Sequence, residues 1–358
     1  AHADEPEKEE LTGKVSWVGF KYQYFSAILI AKDNFERGGE VIAKPLSEND
    51  SSLKIFATEL FMPKQETNAM TFYFGPNHYP TLKAQGAEIE GVLDLGRFGF
   101  ITKYAIIPIF NWLNSFLTNF GLIILLLTII LKVSLFPLTF KSYLSTARMR
   151  VLKPQTEEIT AKFPNPGDAM KRQQATMEMY RKAGVNPMGG CLPMLIQFPI
   201  LIAMFRFFPA SIELRQESFL WAEDLSSYDS IFSLPFSIPF YGDHVSLFTL
   251  LMAVSMIFVN QINMANTVTT PGMPNMKVMM WIMSIMMVFW FNSYSSGLSY
   301  YYFLANVITL LQTFIIRQMI DDKKILAKIE ANKKNPKKKS SFQERLEKMA
   351  REQQKLRK

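Results

Sequence analysis

Cysteine occurs once in this chain, as Cys191, so neither an internal disulfide nor a thiolate metal cage can form. Histidine occurs three times, and His2, His78 and His244 all lie outside the long apolar runs. Those runs also lack aspartate and glutamate. Chemistry inside a membrane by a Ser–His arrangement, by paired aspartates or by an HExxH zinc site is therefore excluded, and the serines present have no base to activate them. There is no P-loop, so nucleotide hydrolysis by that route is excluded too. Neither an enzyme nor a cofactor is expected.

What the chain has instead is apolar residues pooled into runs. Of 358 residues, 49% are hydrophobic, with 21 Met and 30 Phe. About 20 apolar residues cross a bilayer core, which predicts five spans near 120–140, 189–209, 245–263, 276–294 and 297–318. The last two are separated by "SYSSG", where Gly297 and three serines suit a tight turn between antiparallel helices.

Basic residues in the connections set the orientation. Residues 141–188 hold nine Lys/Arg against four Asp/Glu, a net of +5, and 317–358 hold fifteen against six, a net of +9. The connection 210–244 holds one against six, a net of −5. The first two are expected inside and residues 1–116 outside. Residues 1–30 contain neither a cleavable signal nor a spanning run, and the sequence begins at Ala1. An upstream export segment, in the form of an N-terminal anchor, is therefore expected.

Residues 1–98 read as an all-β module, part of a sandwich. In "AMTFYFGP" Met70, Phe72 and Phe74 alternate with Thr71 and Tyr73. "KVSWVGF", "SLKIFATELF" and "EIEGVLDLG" share that strand character, and the acidic start "AHADEPEKEE" is expected to be disordered. Residues 99–118 place Asn111, Asn114, Ser115 and Thr118 at helical spacing, which predicts an amphipathic helix in the outer interface. A linker packed on the β module is the alternative.

Residues 141–188 predict a helical hairpin turning at "PNPG", with Asp168 as a cap and Met170, Met177 and Tyr180 as a thin apolar stripe. It either docks on a partner or stands as a solvated charged hairpin. The basic tail 321–358 suits polyanions, anionic lipid headgroups or RNA, or serves only as an anchor on the inner side.

Three cations fall in the runs: Lys132, Arg206 and Lys277. The last two lie near span ends, where they can snorkel. Lys132 sits nine residues before Lys141, about 13 Å along a helix, and a central cation costs about 2.5–3.5 kcal/mol on insertion scales. It must meet water or a polar partner. Thr128, Gln197, Ser284, Tyr301, Tyr302, Asn306 and Gln312 are each ordinary in a span, but with Lys132 they could line a wet cleft. "VMMWIMSIMMVFWF" (278–291) adds an adaptable Met and aromatic surface. A coupled transporter would show mid-membrane acids and internal repeats, and neither is visible.

The stretch "VNPMGGCLPMLIQFPILIAMF" (185–205) closely resembles the Asn-Pro-x-Gly-Gly-Cys-x-Pro opening of a span in YidC-type membrane protein insertases. "FPLTF" with "ARMRVLKPQ", "ELRQESFLWAEDLSSYDS" and "SGLSYYYFLAN" extend the resemblance over about 99–320, and residues 1–98 resemble the end of the family's periplasmic domain in its Gram-negative branch. The resemblance implies a polytopic α-helical fold. It would have a periplasmic β module (1–98), an interfacial helix (99–118), a five-helix core with its cytoplasmic hairpin and external loop (119–320), and a basic cytoplasmic tail (321–358). It implies a groove open to cytoplasm and lipid. The groove's basic residue, usually Arg, is matched by Lys132, and its substrate-contact positions by Thr128, Gln197, Phe198, Leu201, Tyr301 and Tyr302. The implied activity is insertion and folding of proteins of the bacterial inner membrane. Nascent membrane proteins, the Sec translocon, membrane lipids and, through the tail, the ribosome are the implied partners. A channel or transporter, or a translocon-associated scaffold, are the alternatives.

Overall fold

The computed structural model describes residues 7–36, 38–45, 54–64, 67–190, 192–265 and 276–334. It divides into two compact units, one made of Ala1–Leu127, Pro199–Leu247 and Asn292–Ser299, the other of Thr128–Phe198, Phe248–Phe291 and Tyr300–Lys358.

The first unit opens with six strands: β1 (Glu7–Leu11), β2 (Val15–Lys21), β3 (Phe25–Phe35), β4 (Gly39–Pro45), β5 (Lys54–Leu60) and β6 (Met70–Pro76). They form two antiparallel three-stranded sheets ordered β1-β4-β5 and β2-β3-β6. Paired residues share a face, so Ile28 and Tyr73 point one way and Phe20, Phe72 and Phe74 the other. On that second face Phe20 stacks on Phe56 of β5 at 5.0 Å, joining the two sheets as in a sandwich. Phe72 and Phe74 stack on each other at 5.9 Å and remain exposed. The first face is closed by α1 (Tyr79–Ala84) and a 3₁₀ turn at Ile89–Val92, which bury Leu82 and Ile89 against Ile28 and Tyr73.

Two expectations need correcting here. "EIEGVLDLG" is not a strand: Ile89, Val92 and Leu93 reach the core from a 3₁₀ turn, where residues three apart share a side. Nor is Glu7–Glu10 of the acidic start disordered, because Glu7–Leu11 pairs with β4 by backbone hydrogen bonds while its glutamates stay in solvent, and residues 1–6 lie outside the described residues.

Helix then takes over, through α2 (Gly99–Ile101), a π-helical turn (Thr102–Ile106) and α3 (Ile107–Asn114). Phe110 anchors it against Phe120 and Phe207 at 5.9 and 5.4 Å. The expected polar stripe is incomplete, since Thr118 lies past the helix end. Phe100 and Tyr104 are exposed and four apart, as are Trp112 and Phe116, and Asn114 and Ser115 are exposed beside the second pair.

The apolar run after Asn119 is two helices, α4 (Phe120–Ser134) and α5 (Phe136–Val151), bent by 58° at Leu135. Pro137 explains the break: it has no N–H to donate and its ring clashes with the carbonyl four residues back, whereas the second position of a new helix suits it. The single continuous span expected at 120–140 is corrected accordingly, and Lys132 belongs to the last turn of α4 rather than to mid-helix.

The second unit continues with α6 (Lys153–Lys162) and α7 (Ala169–Lys182), the arms of the expected hairpin. Asp168 occupies the N-cap position of α7, but its carboxylate pairs with Lys171 at 3.0 Å instead of capping. Met170 and Met177 are exposed. Tyr180 and Arg172 are buried, the arginine because it donates to the Phe163 carbonyl across the turn at 3.1 Å.

Chain order then gives α8 (Leu192–Ala210), the hairpin β7 (Phe232–Ile238) with β8 (Gly242–Val245), α9 (Leu247–Ala265), α10 (Met276–Phe291), α11 (Ser296–Met319) and α12 (Asp322–Lys334). Gly297 falls in the first turn of α11, where a Cβ would meet the Leu225 carbonyl at 2.9 Å, and residues 292–295 make the turn instead. The start of the tail is not free. Ile325 and Ile329 of α12 are buried with Ala147, Leu152, Tyr180, Ala183 and Val185, and Arg150 holds Asp322 at 2.8 Å. The rest of the tail, Cys191 and the Lys277 side chain lie outside the described residues.

Candidate functional site

Apolar helices in the second unit turn greasy side chains outward and polar ones inward. On α10 alone, Val278, Met279, Trp281, Ile282, Met283, Ile285, Met286 and Trp290 are exposed while Ser284 is buried. A water-soluble helix has the opposite arrangement, and contiguous exposed apolar surface on this scale marks lipid or a partner. Among the described residues α11 alone is long and apolar enough to cross a membrane unaided. The bent α4–α5 pair passes jointly, and Leu195–Ala210, Leu247–Asn263 and Val278–Phe291 are shorter apolar helices.

Lys132 lies inside this unit with 8% of its surface exposed. Its Nζ donates to Thr309 Oγ1 at 2.9 Å and, at a long 3.4 Å, to Gln197 Oε1. Gln312 Nε2 donates to the Lys132 carbonyl at 3.2 Å, so α11 satisfies both the charged head of this lysine and one of the open carbonyls at the end of α4. The negative end of the helix dipole favours an ammonium there. No carboxylate among the described residues pairs with it. The result is a buried cation held by neutral oxygens.

The remaining expected positions divide. Thr128 is fully buried one helical turn before Lys132, on the same side of α4. Tyr301 and Tyr302 are buried with their rings 5.3 Å apart, and Tyr302 packs edge-on to Phe291. Phe198 is exposed. Leu201 belongs to the first unit and is not brought to Lys132 within the second. Ser284 and Asn306 are engaged elsewhere: Asn260 donates to Ser284 at 3.2 Å, and Asn306 donates to Ser255 at 3.1 Å. They bridge helices and do not join the Lys132 cluster.

Thr309 was missed by the sequence reading. Its signal was present, since Tyr302, Thr309 and Gln312 are seven and three residues apart and fall on one side of a helix. Arg206, the second cation of the apolar runs, pairs with Asp94 in the first unit. Partial burial works against the Asp94 carboxylate, but the Gly96 N–H and the Arg206 guanidinium outweigh it and hold its pKa below the ordinary value.

Comparison with known proteins places these features. The model of the family "60Kd inner membrane protein" matches residues 112–324, and that of the "YidC periplasmic domain" matches 1–108. Proteins named membrane protein insertase YidC are 48% identical in Parabacteroides distasonis, over 97% of this chain, and 44% identical in Bacteroides fragilis, over 99% of it. The Porphyromonas gingivalis relative is 44% identical over 98% of the chain. The chain spans 58–60% of the length of these relatives. A crystal structure described as an active YidC insertase with its first transmembrane domain resolved is 23% identical, covering 87% of this chain and 80% of that one with a TM-score of 0.46.

Proposed function

The chain belongs to the 60Kd inner membrane protein family, that of YidC, and on that premise we propose that it inserts proteins into the bacterial inner membrane and helps them fold, without catalysing a bond change. The observation that carries this reading is Lys132, a buried ammonium with only neutral oxygen partners among helices whose outer sides are apolar. A charge kept without a counter-ion is costly, and it is poised to attract a carboxylate. An incoming acidic tail is drawn to Lys132 through the Thr128, Gln197 and Thr309 side. Its apolar span then slides past exposed Phe198 and the Met-rich α10, with Tyr301 and Tyr302 shaping the inner wall; Leu201 is proposed as a further substrate contact. Partition into lipid supplies the driving force, so nucleotide is not needed.

In this reading the β module and the 210–244 loop face the periplasm, the exposed aromatics of 99–118 sit in the outer interface, and the 141–188 hairpin and the C-terminus are cytoplasmic. Nascent membrane proteins and lipids are the immediate partners. The Sec translocon and, through the basic tail, the ribosome are further ones.

The test is insertion of a single-span substrate with an acidic N-terminal tail into liposomes carrying the full-length protein, read by protease protection. Native protein is expected to insert it. Lys132→Ala should lower the yield about tenfold, since losing one charge-assisted contact amounts to about 1.5–3 kcal/mol, and Lys132→Arg should retain most of it. A substrate with a neutral tail should be far less sensitive to the change. If native protein inserts no more than empty liposomes, a scaffold role replaces this one, and substrate-independent solute flux would instead mark a channel.

A further inference from the structure

A cavity of about 260 Å³ opens in the second unit where α5, the turn at Ala183–Gly184, the end of α11 and α12 meet. Phe140, Leu144, Met319, Ile320, Ile325 and Ile329 make it apolar. Arg148, Lys324 and Lys328 stand around it, and no carboxylate among the described residues pairs with any of the three. Asp321 also lines it, and its Oδ1 accepts the backbone N–H groups of Lys323 and Lys324 at 2.9 and 3.4 Å at the start of α12, so three cations stand against one carboxylate and the lining keeps an excess of positive charge.

We propose that this cavity binds one anionic phospholipid, with part of an acyl chain in the apolar floor and the phosphate against Arg148, Lys324 and Lys328. Three observations select that occupant. The cavity is smaller than the roughly 300–1,000 Å³ of a drug-sized site, and suits a stretch of alkyl chain rather than a compact ligand. It lies where the 24-residue α11 stops being apolar, between Met319 and Asp321, which is the level at which a spanning helix leaves hydrocarbon and meets headgroups. Its cations complement a phosphodiester. Residues 335–358 do not complement it, because they carry nine Lys/Arg against three Glu and would be repelled by the same rim.

Bound there, the lipid bridges α5 to α12 and ties the hairpin base to the membrane surface. The proposal rests on α11 spanning the bilayer and not on insertion activity, so the two can fail separately.

The experiment is native mass spectrometry of the full-length protein in neutral detergent, titrated with dioleoylphosphatidylglycerol or dioleoylphosphatidylcholine. The anionic lipid is expected to bind at least about tenfold tighter, since each basic side chain beside an anionic headgroup contributes about fivefold. The combined variant Arg148→Gln, Lys324→Gln, Lys328→Gln should lose that preference. The combined variant Lys162→Gln, Lys171→Gln, Lys182→Gln, on exposed faces of α6 and α7, should keep it. Met319→Trp fills the floor from an exposed position and should weaken binding with the charges intact. Equal loss in both triple variants would overturn the site in favour of diffuse charge. Displacement by sn-glycerol 3-phosphate or by an RNA oligonucleotide as effectively as by lipid would overturn the occupant.

Discussion

The Lys132 ammonium leans on a hydroxyl and an amide, and the hydroxyl has a second attachment: Thr309 Oγ1 also donates to the Ala305 carbonyl at 2.7 Å. The threonine is therefore satisfied with or without the lysine, whereas the lysine depends on the threonine. Removing one member of a buried hydrogen bond costs about 1–3 kcal/mol when the survivor is charged and has nowhere to turn. Thr309→Val is thus expected to lower the melting temperature of the detergent-solubilised protein. The same change in a Lys132→Met background should cost much less, and Lys132→Met alone should be neutral or stabilising. Equal effects of Thr309→Val in both backgrounds would mean that the two side chains are not coupled. Lys132 and Gln197, which the structure brings together, were legible in the sequence, because a polar side chain inside an apolar run stands out on its own. Thr309 was not singled out, because threonine is common in such runs and only its spacing from Gln312 gives it away. Which polar groups cluster and which merely bridge helices, as Ser284 and Asn306 do, depends on helix rotation and packing that composition does not carry.

Among the elements, legibility followed the strength of the hydrophobic signal. The five apolar helices, the hairpin arms and strands β2, β5 and β6 could be read from runs and alternation. Strand β1 could not, because it is held by its backbone ladder to β4 and one ion pair, Lys8 to Glu40 at 3.0 Å, and four of its five side chains face water. The α4–α5 break was legible in principle from Pro137, but averaging hydropathy over 20 residues hides a single proline. Helix α12 escaped because its buried pair, Ile325 and Ile329, is set among lysines. Four apart, these two isoleucines lie one above the other on the side of α12 that meets Leu152 and Val185. Ile329→Ala should open that contact at a cost of about 2–3 kcal/mol, the lower part of the range for a buried isoleucine because the helix end relaxes. Amide exchange along α12 is then expected to accelerate at least about tenfold, with α4 and α11 unchanged. Uniform acceleration through all three would show that α12 is no separable unit and that its packing supports the whole helical core.

For the whole molecule, the distribution of surface types fixes what the surroundings must be. Helices such as α10 expose methionine, isoleucine and tryptophan along their length, yet α6 and α7 carry charge on theirs and the β7–β8 hairpin lifts Phe240 into the open with 95% of its surface exposed. Apolar α10 and charged α6 and α7 cannot share one environment, so the chain requires both lipid and water. In the proposed orientation the basic 141–188 stretch lies inside and the acidic 210–244 loop outside. Cysteine chemistry can read this directly, because Cys191 is the only native thiol and Cys191→Ser gives a silent background. In intact spheroplasts a membrane-impermeant maleimide is expected to label Phe240→Cys but neither Lys171→Cys nor Met283→Cys. After lysis it should label Lys171→Cys as well, while Met283→Cys stays protected until detergent is added. Labelling of Lys171→Cys before lysis would invert the orientation and, with it, the side from which an acidic tail could reach Lys132. Labelling of Met283→Cys without detergent would mean that α10 faces water or a protein partner, and the lipid-side path past Phe198 would lose its exit.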